Sequence, residues 1–330
     1  MTTLTTDTPR LIAEWEHHGA VMLAWPHSGT DWAYMLDEVQ QCYRSLVDAL
    51  LRAGEKVIIL APESESPEFD SADVTVIHVD TNDTWIRDYG PLTLSDGTLL
   101  DFRFNAWGQK FASDLDNQTT RRLAAMKAIG APVECNKDFV LEGGSIESDG
   151  NGTIMTTACC LLAPNRNEPM ERDDIERELL LRLRARKILW LDCSPLAGDD
   201  TDGHVDTLAR LAPMNSIFYC GTVSADQLAT LTNADGEPYN IIGLPMPDPI
   251  HDPDDGSLLP ATYANYLVTS RAVLMPVYGQ TMNDIRAEQT LKTVFFDREI
   301  IPVDCRALIR QHGSLHCATM QVAAGAFSFL

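Results

Sequence analysis

The sequence predicts an α/β fold, and three observations carry that prediction. Five segments with apolar residues at helical spacing each run into a short apolar strand. Those strands recur at nearly regular intervals along the 330 residues. The stretches densest in reactive side chains follow the strands, where α/β proteins usually place their chemistry.

In chain order, CYRSLVDALLRAGEKVIILA (42–61) carries leucines and valines at helical spacing, with Gly54 as its stop. TTRRLAAMKAIGAPVEC (119–135) repeats the plan with Gly130. ERDDIERELLLRLRARKILWLD (171–192) opens with acids and closes with bases, matching the helix dipole. SADQLATLTNADGEPYNIIGLP (224–245) has the faintest pattern, and DIRAEQTLKTVFFDREIIPVD (284–304) is the fifth. The strands begin near Lys56, Pro132, Lys187, Asn240 and Glu299, so their separations are 76, 55, 53 and 59 residues (132−56, 187−132, 240−187, 299−240). Such spacing fits five related supersecondary units. An ordinary doubly wound sheet alternates helix and strand too, and the pattern alone leaves both open.

With 45% hydrophobic and 22% charged residues, the chain has the composition of a soluble globular enzyme. No linker divides it; the proline- and aspartate-rich loop at 245–257 reads as an excursion, so one domain over 1–330 is expected. The formal charge of −23 argues against nucleic-acid or anionic-membrane partners, whereas a cationic substrate would be drawn in. No apolar run spans a membrane, MTTLTTDTPR is not a signal peptide, and eight cysteines lack framework spacing, which together suggest the cytoplasm and free thiols.

Four stretches hold the candidate chemistry. AGDDTDGHVDTLARL (197–211) surrounds His204 with acids; read as a strand, it puts His204 and Asp206 on one face. A calcium loop there would lack its later bidentate acid. TNDTWIRDYGPL (81–92) offers Asp88 and Trp85 as a carboxylate and an aromatic wall for a planar cation, or equally an Arg87–Asp88 turn and a core tryptophan. VLEGGS (140–145) ends a strand on Glu142, with glycines that admit a ligand or simply turn the chain. HGSLHCATMQ (312–321) contains Cys317; as a strand it would point His316 away, so the thiol's proton partner should lie elsewhere. Zinc held by Cys317, His316 and His312 is the competing reading, though H-x3-H-C is not a recognised zinc spacing. Phosphate-binding glycine motifs are absent. Cys159 and Cys160, in TIMTTACCLL, read as core residues of a strand.

Taken together, TWIRDYGP, FRFNAWGQKF (102–111), FVLEGGSIESDGNGTIMTT (139–157), APNRNE (163–168), GDDTDGHVDTLARL (198–211), LPATYANY (259–266) and SLHCATMQ (314–321) resemble the agmatine deiminase and bacterial-type peptidylarginine deiminase family. The resemblance covers nearly the whole chain. It implies a pentein fold, five ββαβ units around a pseudo-fivefold axis with a central active site. By motif it implies Cys317 as nucleophile and His204 as general acid/base. Asp88 and Asp206 would clasp the guanidinium, Glu142 would position the histidine, and Trp85 would line the site.

The activity implied is hydrolytic deimination through a covalent S-alkylthiouronium, with agmatine and water giving N-carbamoylputrescine and ammonia in putrescine biosynthesis. Arginine, peptidyl arginine or another guanidine is the nearest alternative substrate, and a zinc-dependent hydrolase the alternative of another class. No cofactor or metal is called for, and a homo-oligomer is compatible. An arginine substrate would require a cation for its carboxylate, with Arg87, Arg103, Arg166 and Arg210 as candidates. Two departures stand out: His312-Gly313-Ser314-Leu315 replaces a common glycine run, and Asp202 and Thr207 stand where asparagine is frequent.

Overall fold

The computed structural model describes residues 8–16, 19–192 and 194–329; most of the N-terminal stretch read above for targeting, and Cys193, lie outside them. The described residues form five small mixed sheets. Each follows one plan, a pair of antiparallel strands, a helix, and a third strand parallel to the middle one.

In the second sheet, Leu92–Thr93 pairs antiparallel with Leu99–Arg103, and Val133–Val140 returns parallel after the helix Thr119–Ala125. Ile146–Ser148, Thr153–Thr157 and Lys187–Leu191 form the third around helix Arg172–Arg182. Ala209–Ala212, Ser216–Tyr219 and Asn240–Gly243 form the fourth around Ala225–Ala229. Leu267–Val268, Ala272–Val277 and Glu299–Asp304 form the fifth around Thr281–Leu291. The first sheet joins the chain ends: Met320–Val322 pairs antiparallel with Ala20–Ala24, which runs parallel to Val57–Ala61 after helix Leu36–Arg52. Val74–His78 adds a further parallel strand. These five ββαβ units are the pentein arrangement, which resolves the ambiguity of the spacing pattern.

The local chemistry explains the elements. Glu171 and Asp174 form a reciprocal capping box at the start of the third unit's helix. Gly54 adopts φ +77° just past the first unit's helix, as a left-handed stop requires. The helix of the second unit ends earlier than Gly130 suggests, with Lys127 taking the left-handed position at φ +59°. Inner strands such as Val57–Ala61 are buried along their whole length, which is why they read as continuous apolar runs.

Candidate active site

Loops from all five units converge. Asp88 lies in a single helical turn, Ile86–Tyr89, after the first sheet; Glu142 follows the strand ending at Val140. His204 and Asp206 follow Lys187–Leu191, Asn265 follows Asn240–Gly243, and Cys317 follows Glu299–Asp304. All six side chains are buried. A pocket reaches two of them, Asp88 and Cys317, and its lining is completed by Asp31, Asp83, Trp85, Trp107, Phe111, Asp200, Thr201 and residues 311–313.

His204 sits between two carboxylates, with Nδ1 3.6 Å from Asp88 Oδ1 and Nε2 3.5 Å from Glu142 Oε2. Burial opposes its charged form, but Asp88, Cys160 and Glu142 outweigh burial and hold its pKa well above the ordinary value. Asp88 is pushed up by burial despite the nearby imidazole. It accepts from the indole Nε1 of Trp107 at 2.9 Å and the backbone N–H of Gly144 at 2.9 Å. Trp107 reaches it through a run of left-handed residues, Ala106 to Gln109, a strain of the kind concentrated at functional sites.

Asp206 behaves oppositely. Burial would raise its pKa, yet the His316 hydrogen bond and nearby His204 and Arg210 lower it. His316 Nδ1 lies 2.8 Å from Asp206 Oδ2, and His316 Nε2 lies 2.7 Å from Glu14. Asn265 donates to Asp206 Oδ2 at 3.2 Å and to Cys317 Sγ at 3.3 Å. Burial, then Asp206 and Asp88, push the Cys317 thiol well above its ordinary range. Its Sγ is 3.7 Å from Asp206 Oδ2, and the other oxygen of Asp206, Oδ1, has no hydrogen-bond partner among the described residues.

Glu142 is held ionised by Arg166, whose Nε lies 3.1 and 3.0 Å from its two oxygens; this attraction overcomes a burial penalty. Arg166 also bonds Asp202 Oδ2 at 2.7 Å and the carbonyl of Thr201 at 2.8 Å. Asp202 thus braces Glu142 from behind, outside the pocket. Thr207 bonds back to the carbonyl of His204 at 2.9 Å.

Several local expectations need correction. Residues 312–319 form turns, and only Met320–Val322 is strand, so strand alternation is not what separates His316 from Cys317. The separation holds for another reason: His316 is spent on Asp206 and Glu14. Val205–Thr207 is a 3-10 turn; His204 and Asp206 meet the site through that turn. Ala158–Leu161 is a helical turn, which carries Cys160 Sγ to 3.8 Å from Glu142 Oε2. Arg87 does not pair with Asp88; it bonds the side chain of Gln321 and the carbonyl of His316.

Cys317, His316 and His312 do not form a ligand group, since His312 Nδ1 is bound to the carbonyl of Gly198 at 2.8 Å. Among the described residues the convergent ligand-type sets are Glu142, Cys160 and His204, and Glu14, Glu147 and His316. The altered segment 312–315 has a clear position. His312 turns left-handed at φ +65°, and Gly313 passes Trp85 so closely that a Cβ would lie 2.4 Å from the indole.

Sequence reading missed the roles of Asn265, His316, Arg166, Trp107 and the acids Asp31, Asp83 and Asp200. All but Asp31 stand inside motifs quoted above, but none had a charge pattern or spacing that revealed its partner.

With this geometry in place, comparison with known proteins is decisive. A model of the Porphyromonas-type peptidyl-arginine deiminase family matches residues 10–323. The chain belongs to that family. A structure from Porphyromonas gingivalis provisionally named an arginine deiminase is 41% identical, covering 97% of this chain and 99% of that one, with a TM-score of 0.88. An agmatine deiminase of C. jejuni, solved as a cysteine-to-serine variant with substrate bound, is 33% identical over 97% and 98%, with a TM-score of 0.87. A Lactococcus lactis relative provisionally named an agmatine deiminase is 30% identical over 97% of both chains. This member of the deiminase family is therefore an enzyme of guanidine deimination type. No helix among its described residues is long and apolar enough to cross a membrane.

Proposed function

We propose that the protein hydrolyses agmatine to N-carbamoylputrescine and ammonia, a step of polyamine biosynthesis carried out in the cytoplasm. The observation that carries this reading is the charge of the pocket wall. Four aspartates, Asp31, Asp83, Asp88 and Asp200, line it, and no arginine or lysine among the described residues does. Arg166 and Arg210 are bound to buried carboxylates, Arg87 faces away to Gln321, and Arg103 is exposed. Lys110, next in sequence to Phe111 of the pocket lining, is held by Asp202 at 3.0 Å and by the carbonyl of Asp200. A substrate with an ammonium at its far end meets carboxylates along the way. One with an α-carboxylate meets like charge wherever those aspartates are ionised, and finds no arginine or lysine among the described lining residues to pair with it.

In the proposed mechanism Asp88 and Asp206 receive the guanidinium by bidentate hydrogen bonds and place its carbon over Cys317 Sγ. The bound cation draws the thiol to its thiolate, and that proton leaves to solvent. Sulfur attacks the carbon, and the charged His204 protonates the departing nitrogen, so ammonia leaves and a thiouronium remains. Neutral His204 then takes a proton from water as its oxygen adds. Collapse of that adduct breaks the C–S bond, forms the ureido carbonyl and returns a proton to sulfur. The paired values suit these roles: His204 is held charged while Glu142 stays ionised beside it.

The test is ammonia and ureido-product formation from agmatine, arginine and a short arginine peptide, with Cys317→Ala as control. Agmatine is expected to be preferred and Cys317→Ala to be inactive. Preferential turnover of arginine overturns the substrate, and full activity of Cys317→Ala overturns the mechanism.

A further inference from the structure

Cys160 is the nearest thiol to the general-base side of the site, and the mechanism has no use for it. Its sulfur is buried 3.8 Å from Glu142 Oε2, and His204 Nε2 lies 3.5 Å from the same oxygen. The three donor groups offer ligand atoms within 4.8 Å of one another. Zinc bonded tetrahedrally to S, N and O at its usual lengths sets its donors roughly 3.3–3.6 Å apart. The two distances to Glu142 fall within a few tenths of an ångström of that, so an ion could be held with little rearrangement.

A second observation points the same way. His204 is fully buried, and its ring nitrogens meet Asp88 and Glu142 only at 3.6 and 3.5 Å, at ion-pair distance and longer than a well-formed hydrogen bond. An imidazole nitrogen in that state keeps a lone pair facing a thiol and a carboxylate once its proton is released. The other convergent set, Glu14, Glu147 and His316, differs in kind. Arg210 already fills it, 2.6 Å from each glutamate and 3.2 Å from His316 Nε2. At Glu142 a single nitrogen, Arg166 Nε, bonds both carboxylate oxygens at 3.1 and 3.0 Å, which leaves each oxygen a further lone pair, and Asp202 pairs with the same guanidinium.

We propose that Glu142, Cys160 and His204 form an inhibitory site for a thiophilic divalent cation of the zinc class. On binding, the Cys160 thiol and the imidazolium each lose a proton to solvent, and sulfur, nitrogen and oxygen coordinate the ion. The lone pair that His204 needs for proton transfer is then engaged, and turnover stops without any change at Cys317. The site is separate from the Cys317-centred zinc reading, since Cys317 is not among its ligands. Its consequence for turnover rests on the proposed function, whereas binding itself does not.

The experiment therefore reads binding and activity separately. Cobalt(II), a spectroscopic stand-in for zinc, is titrated into Cys317→Ser, which has no nucleophile thiol. A thiolate-to-cobalt charge-transfer band at one equivalent is expected, displaced by zinc, and lost in Cys317→Ser/Cys160→Ala. In parallel, zinc inhibition of the enzyme with Cys317 intact should weaken at least about tenfold in Cys160→Ala relative to that variant's own uninhibited rate. Cys160→Ser, closer in size, is measured beside it to guard against a folding defect. Absence of the band in Cys317→Ser, or its persistence after Cys160 is removed, overturns the site. Equal zinc sensitivity with and without Cys160 overturns the inhibition. A chain that binds cobalt as described but ignores agmatine refutes the proposed substrate and leaves the metal site standing.

Discussion

Gly144 is the point at which a single methyl group tests the arrangement of the site. A Cβ there would lie 2.7 Å from His204 Nδ1, 2.8 Å from Asp88 Oδ1 and 3.1 Å from Asp206 Oδ2. Carbon needs about 3.5 Å to such neighbours, so in Gly144→Ala the imidazole and Asp88 must each retreat by roughly 0.7 Å. Gly144 is not among the residues with positive φ, so the backbone accepts alanine and the cost falls on the site. Displacement on the order of 1 Å costs about 10²-fold in rate, near 2.7 kcal/mol at 1.36 kcal/mol per decade. Overpacking should cost about 1–3 kcal/mol of stability, leaving the chain folded. Ureido-product kinetics on agmatine, with thermal unfolding alongside, provide the assay. A folded Gly144→Ala with kcat/KM within about threefold of the parent would refute the convergence of His204, Asp88 and Asp206 on the substrate. Gly143→Ala makes an instructive contrast: its Cβ would lie 2.1 Å from the carbonyl oxygen of Arg87, a main-chain clash whose predicted outcome is lost stability.

The remaining predictions concern charge. Burial, only partly relieved by the Thr84 N–H and reinforced by Asp31, pushes Asp83 up to about 7. Its ionised form is the one that receives an ammonium, so kcat/KM for agmatine should rise as pH climbs through about 7. In Asp83→Asn that step should flatten; an unchanged profile rejects Asp83 as a tail contact. His316→Gln keeps a hydrogen bond to Asp206 but removes the imidazole that lowers its pKa. The acid limb of kcat/KM should therefore move to higher pH, and a limb that stays put assigns His316 to packing alone. Arg166→Met leaves Glu142 buried without its counter-charge and should cost about 3–5 kcal/mol in denaturant unfolding. A loss under about 1 kcal/mol would mean that Glu142 is neutral in the folded enzyme.

How much of this was legible in the sequence varies with the range of the interaction. The five strand starts fall within a residue of the positions read from the apolar pattern, because each unit repeats one local plan. Asp88, Glu142, His204, Asp206 and Cys317 stood out as reactive side chains in glycine-punctuated loops, and the structure brings them together. The supporting residues were invisible for a physical reason. Asn265 lies 52 positions from Cys317, and Arg166 lies 24 from Glu142; the fold, not any spacing, makes them neighbours. Local readings that assumed regular strands failed at 204–207, at 158–161 and at 312–319. In each case the backbone turns to aim a side chain inward, which is what a strand cannot do for adjacent residues.

The pairing of His316 with Cys317 in sequence acquires a different meaning in this light. Two reactive side chains side by side suggest a nucleophile and its base, yet the turn sends them to separate tasks. Cys317 faces the pocket, and His316 points back into a buried hydrogen-bonded chain that joins Glu14 to Asp206, with Arg210 bonded to Glu14 and Glu147. That chain holds Asp206 toward its ionised form within a site where burial would otherwise protonate it, while at Asp88 burial outweighs the nearby imidazole and the Trp107 hydrogen bond and pushes the other way. The two carboxylates that would share one guanidinium are thus unequal before substrate arrives. Asp206 carries a fixed negative charge beside the sulfur, and Asp88 is balanced against His204. In the proposed mechanism a cation entering between them would satisfy both and lower the cost of ionising Cys317, so the thiolate would be favoured when there is a guanidinium carbon for it to attack.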